Sequence, residues 1–230
     1  MKLEICIDAV EGAHMAAIYS ADRVELCSAL SIGGLTPSLG LIEKCAEYID
    51  VHAMLRPREG NFIYSQDEVE SMVQDIDHMA QSGAKGVVFG CLTVERNIDL
   101  FATKLIAEKA GSLGMATTFH RAFDFCVAPY KALENLIDLG INRLLTSGQK
   151  KRAIEGKHII KELVEASNGR IEIMAGSGVN QSNAKELAEI GVDALHFTSH
   201  LEVSDKNGFG MGVTTVPDRD KIFTISKLFK

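Results

Sequence analysis

No run of Lys or Arg in this 230-residue chain is longer than Lys150-Lys151-Arg152, and the formal net charge is −7. A surface for nucleic acid or for an anionic membrane needs a concentrated positive field, so neither partner is expected. No apolar stretch approaches the roughly 20 residues of a membrane span. The first residues read as a strand interrupted by Lys2, Glu4 and Asp8, without the apolar core of a secretion signal, and the expected compartment is the cytoplasm. Cysteine is sparse and unpaired: five residues, an odd number, and no CxxC. A disulfide framework is therefore not expected, and the thiols are read as free in a reducing compartment. No linker or shift of composition marks a second domain. What remains is a chain that is 46% hydrophobic and long enough to bury a large core.

Strand-like and helix-like segments alternate along it. Strands are expected at Leu3–Asp8, Arg23–Leu26, Val51–Leu55, Gly86–Phe89, Met115–Phe119, Arg143–Leu145, Ile171–Met174 and Ala194–Phe197. Between them lie seven helical patterns. The clearest is Asp67–Gln81, where Ser65 followed by Glu68 forms a capping-box signature and Gly83 ends the run. Asn180–Ile190 is read as another helix, opening directly after Gly176-Ser177-Gly178. Eight short β/α units imply a parallel sheet with crossover helices, closed as an α/β (β/α)8 TIM barrel of a single domain. Residues 1–200 form the barrel in this reading, and residues 201–230, rich in Gly and Asp before an apolar-basic end, are a loop and closing helix of the same domain.

The strands carry two unlike faces. One parity (Ile5, Ile7, Val24, Leu26, Val51, Leu55, Ile171, Ile173) is apolar and suits packing against helices. The other holds Glu4, Cys6, Glu25, Cys27, His52, Met54, Arg56, His120, Glu172, Met174 and His196, and is expected to face the barrel interior. Buried charges persist only when paired, and both signs are present. Barrel active sites lie at the C-terminal ends of the strands. There, His120 is a candidate acid/base with Glu25 or Asp124 as its partner. Arg56 and Arg58, flanking Pro57, offer guanidinium groups suited to carboxylate or phosphate. Gly176, Ser177 and Gly178 form a loop whose backbone N–H groups could hold an anion at the start of a helix. Structural readings compete with each of these: a single His is commonly a hydrogen-bonded core residue, and Cys or Met in a strand commonly fills space. Cys6 and Cys27, on neighbouring strands, are soft ligands of the kind that select Cu(I). Cys91 and Cys126, beyond strands four and five, are expected nearer the surface, and Cys45 in packing.

The segments Glu25-Leu26-Cys27-Ser28, Gly33-Gly34-Leu35-Thr36-Pro37-Ser38, Arg56-Pro57-Arg58, Thr118-Phe119-His120-Arg121-Ala122-Phe123-Asp124 and Leu145-Thr146-Ser147-Gly148 resemble those of the CutC copper homeostasis family, over residues 3–200. The resemblance implies a cytoplasmic TIM barrel, often a homodimer, that handles copper as Cu(I) on Cys6 and Cys27. It assigns no settled role to Glu25, Arg56, Arg58, His120, Arg121 or Asp124. The chain departs from the family pattern at Glu59 and Asn61, and at Thr198-Ser199-His200 where Ser-Ala-Arg is usual. Copper binding requires none of the ionic residues. The second expectation is therefore an enzyme acting on a small anionic or phosphorylated substrate, with His120 as acid/base, Arg56, Arg58 and the Gly176–Gly178 loop as the anion clamp, and Glu25 or Asp124 in support.

Overall fold

The computed structural model describes residues 1–203 and 214–230. Eight parallel strands close into a barrel in chain order: β1 Lys2–Ile7, β2 Arg23–Leu26, β3 Val51–Met54, β4 Gly86–Phe89, β5 Ala116–Phe119, β6 Arg143–Thr146, β7 Glu172–Gly176 and β8 Ala194–Thr198. β8 pairs back onto β1, with Glu4 opposite His196 and Cys6 opposite Thr198. Crossover helices α1 Val10–Ile18, α2 Leu39–Ala46, α3 Gln66–Gln81, α4 Leu100–Ser112, α5 Pro129–Asp138, α6 Lys157–Ser167 and α7 Ala184–Glu189 surround the sheet. Among the described residues no helix is long and apolar enough to cross a membrane.

Local chemistry sets several helix starts. Ser38 and Asp99 accept from the backbone N–H three residues on, and Pro129 occupies the first turn of α5. Ser65 and Glu68 make the reciprocal capping box at α3. The expected helix at Asn180 begins later. Residues 180–183 instead form a turn in which Asn183 Oδ1 accepts from the Asn180 N–H and Asn180 Oδ1 from the Ser182 N–H. Asn side chains compete for the backbone donors a helix would need, and the helix starts only at Ala184.

The tail also differs from the expected loop. β9 His200–Val203 pairs antiparallel with β10 Thr214–Pro217, and α8 Arg219–Ser226 follows. Thr214, Thr215 and Val216 are β-branched and favour a strand, a signal hidden by the nearby glycines. Gly208, Gly210 and Gly212 lie outside the described residues. Helix α8 packs on α1, with the Phe223 and Tyr19 rings 5.5 Å apart.

The main core lies between strands and helices. Ile5, Val24, Leu26, Val51, Val87 and Ile173 point outward onto buried helix residues such as Ile42, Met72, Ile76 and Leu163. Full burial of such side chains is worth about 1.5–3 kcal/mol each. The lumen is different. Its apolar content is confined to two small groups, Cys6–Cys27–Met54–Val88 and Leu145–Met174–Ala194. Ion pairs fill the space between and below them. Arg23 bonds Glu4 through Nε and Glu172 through Nη2 at 2.6 Å, Lys2 reaches Glu172 at 2.6 Å, and Arg143 lies 3.3 Å from the same carboxylate.

Glu4 is fully buried and Arg23 nearly so, so removing one partner strands a charge in the core. Arg23→Met should destabilise the fold by about 3–5 kcal/mol in urea unfolding. Lys161→Met, which removes an exposed pair with Glu165, should change it by less than about 0.5 kcal/mol.

Candidate metal centre and cavity

The C-terminal half of the lumen is built on the register of β8, β1 and β2. Residue parity puts Glu25 and Cys27 on one face of β2, and pairing puts Cys6 beside Glu25. The Cys6 and Cys27 sulfurs lie 4.0 Å apart, and both residues are buried. Gly34 keeps this space open. Its φ is +87°, and a Cβ there would fall 2.9 Å from the Cys27 sulfur. Cys27 donates to Glu25 Oε2 at 3.7 Å. The other carboxylate oxygen of Glu25 is buried without a partner among the described residues.

His196 joins this group. Its Nδ1 is 2.9 Å from Glu4 Oε1 and its Nε2 is 3.6 Å from Glu25 Oε2. Ligand atoms of Cys6, Glu25 and His196 all lie within 4.8 Å of one another. Burial favours the neutral imidazole, but the Glu25 charge and hydrogen bonds to Cys6 and Glu4 outweigh it and raise the His196 pKa well above its ordinary value. Burial likewise opposes ionisation of Glu4, yet the hydrogen bond from His196 and the Arg23 charge hold its carboxyl far below the usual range. The Cys27 thiol is pushed up to about 11: its hydrogen bond with Cys6 lowers it, and burial and the Glu25 charge outweigh that. The Cys6 thiol is also raised, by its hydrogen bond with Cys27 and by burial.

The sulfur geometry tests what ion would fit. With metal–thiolate bonds of about 2.3 Å, a linear S–metal–S arrangement needs about 4.6 Å between sulfurs. The observed 4.0 Å instead corresponds to an S–metal–S angle of roughly 120°, a trigonal site. The His196 imidazole lies within 4.8 Å of the Cys6 sulfur, oriented by the Glu4 carboxylate behind it as metal-bound imidazoles commonly are.

A cavity of about 1070 Å³ opens above this group, with Cys6, Glu25, Arg56, His120, Arg121 and His196 in its walls. Arg56 is buried and donates to the carbonyls of Ile32, Gly34 and Gly60. His120 is buried between Phe62, with ring centroids 4.8 Å apart, and Phe119. A Cβ at Gly90 would fall 2.5 Å from His120 Nδ1, so only glycine lets this imidazole lie against β4. Burial and the Arg56 charge push the His120 pKa down to about 3.

The remaining expected site residues are placed otherwise. Asp124 does not face His120. Its oxygens accept from Thr146 Oγ1, the N–H groups of Ser147 and Gln149, Ser147 Oγ and Arg121 Nε, which organises the loop after β6. Glu25 is likewise turned away from His120, toward Cys27 and His196. Arg58 is absent from the cavity wall. Its guanidinium is taken up by Glu68 and the carbonyls of Glu59, Asn61 and Ile63, where it braces the start of α3. Gly176 is part of β7, with Leu145 and His196 packed against it. Ser177 and Gly178 do line the cavity. With Asn180–Asn183 as a turn, no helix dipole points at them, and Ser177 Oγ donates to the Lys151 carbonyl. Cys91 and Cys126, expected nearer the surface, are buried, because both side chains pack into the main core between strands and helices.

Several residues of the interior network escaped the sequence reading of the site. His196 was expected in the lumen near the soft metal candidates; its register opposite Glu4 brings it into one group with Cys6 and Glu25. Arg23 and Arg143, which share interior parity with Glu25 and Leu145, follow from the same alternation.

The sequence profile of the CutC family matches residues 1–201. The chain belongs to the CutC family. A CutC family protein of Glaesserella parasuis is 48% identical over 202 residues, covering 86% of this chain and 82% of its relative. One from Histophilus somni is 42% identical and aligned over the whole of both chains. A crystal structure of CutC from Streptococcus agalactiae, a protein named for copper homeostasis, superposes with a TM-score of 0.79 at 34% identity, over 86% of this chain and 98% of that one.

His52 gives a test of the polar lumen. It is buried, with Nδ1 3.3 Å from the Arg143 guanidinium, and burial lowers its pKa to about 4. Between pH 6.5 and 4 the unfolded chain binds a proton there that the folded chain refuses, so stability is full above pH 6.5 and falls as the pH drops. His52→Gln should remove up to about 3 kcal/mol of that loss at pH 4, measured by urea unfolding across the range. The slope left over belongs to His120 and, toward pH 4, to carboxyls such as Glu4 and Glu172 that are held below their usual range, all titrating in the same sense.

Proposed function

We propose that this CutC family protein takes Cu(I) as its cargo, held by Cys6 and Cys27 with His196 as the third ligand, and so acts in copper homeostasis. The observation that carries the reading is the pair of buried thiols 4.0 Å apart. Two soft sulfurs and an imidazole suit Cu(I), whereas an oxygen-seeking ion would find only Glu25 among them. The unpartnered Glu25 oxygen adds negative charge beside the ion. The Streptococcus agalactiae relative, named for copper homeostasis, supports the same assignment. The five free cysteines are consistent with a reducing compartment, and the reading takes the cytoplasm as the compartment. The resemblance adds a homodimer, which light scattering would read as twice the chain mass.

Both thiols are protonated at neutral pH, so loading expels their protons and the His196 proton. Copper affinity should therefore rise with pH. Anaerobic Cu(I) titration against a competing chelator should give one equivalent for the wild type. Cys6→Ser and Cys27→Ser should each weaken binding by about 100-fold or more, and His196→Asn by about tenfold, with circular dichroism reporting the fold. X-ray absorption should show two sulfurs and one nitrogen around copper. Unchanged stoichiometry and affinity in both serine variants would overturn the assignment.

A further inference from the structure

Copper ligation leaves the opposite wall of the cavity unused. Arg56 is 5% exposed, yet no carboxylate among the described residues lies within ion-pair distance of it, and only backbone carbonyls meet its Nη groups. Its Nε–H is buried without an acceptor. A buried guanidinium with no counter-charge is costly, unlike Arg23, whose two carboxylates answer it. His120 shows the same lack. Its Nδ1 accepts from the Ala122 N–H, so in the neutral ring the proton sits on Nε2. That Nε2–H is also buried and has no acceptor among the described residues. The two groups share one neighbour: the Phe62 ring lies 4.8 Å from the His120 ring and 5.2 Å from the Arg56 guanidinium carbon. Arg121 stands on the same wall, its guanidinium partly exposed. Glu25, Asp8 and Glu202 also line the cavity, as does Lys221.

We propose that the Arg56–His120 wall is a binding site for the anionic oxygen group, phosphate or carboxylate, of a small organic molecule. Arg56 supplies the counter-charge and His120 donates through Nε2–H. His120 is thus a neutral hydrogen-bond donor here, and the acid/base role expected from the sequence is replaced by recognition. An anion seated against Arg56 and His120 would answer an uncompensated charge and an unpartnered donor, and the cavity's ~1070 Å³ leaves room for the rest of a metabolite-sized molecule. Phosphate esters and carboxylates share this chemistry, and the test separates them.

Protein with ¹⁵N-labelled histidine is titrated at pH 7 with inorganic phosphate and, separately, with succinate. A saturable shift of the His120 Nε2–H resonance is expected with one of them. Phosphate alone identifies a phosphoryl ligand, and succinate alone a carboxylate. His120→Phe and Arg56→Lys should each weaken binding by about tenfold or more in calorimetry. Anion binding is measured on copper-free protein with both thiols intact, which keeps this result independent of the copper assignment. The wild-type titration needs no variant to fold. Absence of any His120 shift with either anion at millimolar concentration would overturn the proposal, as would unweakened binding by a folded His120→Phe.

Discussion

Glu4 carries a full negative charge at the centre of the barrel with no access to water. The low-dielectric interior gives that charge two answers, Arg23 below and His196 above. Arg23 then needs a second carboxylate, Glu172, which in turn draws Lys2 and Arg143. His196, fixed through Nδ1, presents Nε2 toward Glu25 and Cys6. The geometry of the thiol group is thus inherited from an ion-pair column that begins at the opposite end of the strands. Such a column adds little net stability over a well-packed apolar plug, since each ion must first be stripped of water. It does fix the rotamers of the groups above it, as a supporting shell must.

Two imidazoles in one cavity are driven to opposite charge states by their neighbours. His196 sits among carboxylates and is held as the cation. His120 sits against aromatic rings and guanidinium groups and is held neutral. Both are buried, so burial alone cannot distinguish them. The result is a chamber with a thiol and carboxylate side and a guanidinium side. Sequence spacing keeps the two apart: β8, β1 and β2 build one, and the segments after β3 and β5 build the other.

The alternation of apolar and polar residues made the strands, their order and their inward face legible, because a residue's parity on a strand fixes the face it presents. Ser65 and Glu68 announced the start of α3 for an equally local reason. Non-local placement was less accessible. Arg58 and Asp124 have the chemistry of a site, yet Glu68 and the Thr146–Gln149 loop occupy them. A list of residue types does not reveal which partner reaches a guanidinium first. The Asn180–Asn183 turn was missed because helical periodicity outweighed the competition of Asn side chains for backbone donors. The tail strands were masked by glycine content. His196 was recognisable only once β8 was paired with β1.

The β9–β10 ribbon has an evolutionary consequence. It leaves β8 after the single residue Ser199, whose hydroxyl and carbonyl are tied to Asp218 at the start of α8. From it, Glu202 and Thr215 reach the cavity mouth, joined by Lys221 of α8. All three lie beyond residue 201, where the family profile stops. The floor of the chamber is thus built within the span that the family profile matches, and part of its rim is built beyond it. Divergence there can retune which molecules enter, by size and by sign of charge, while the buried column that holds the floor in register goes untouched.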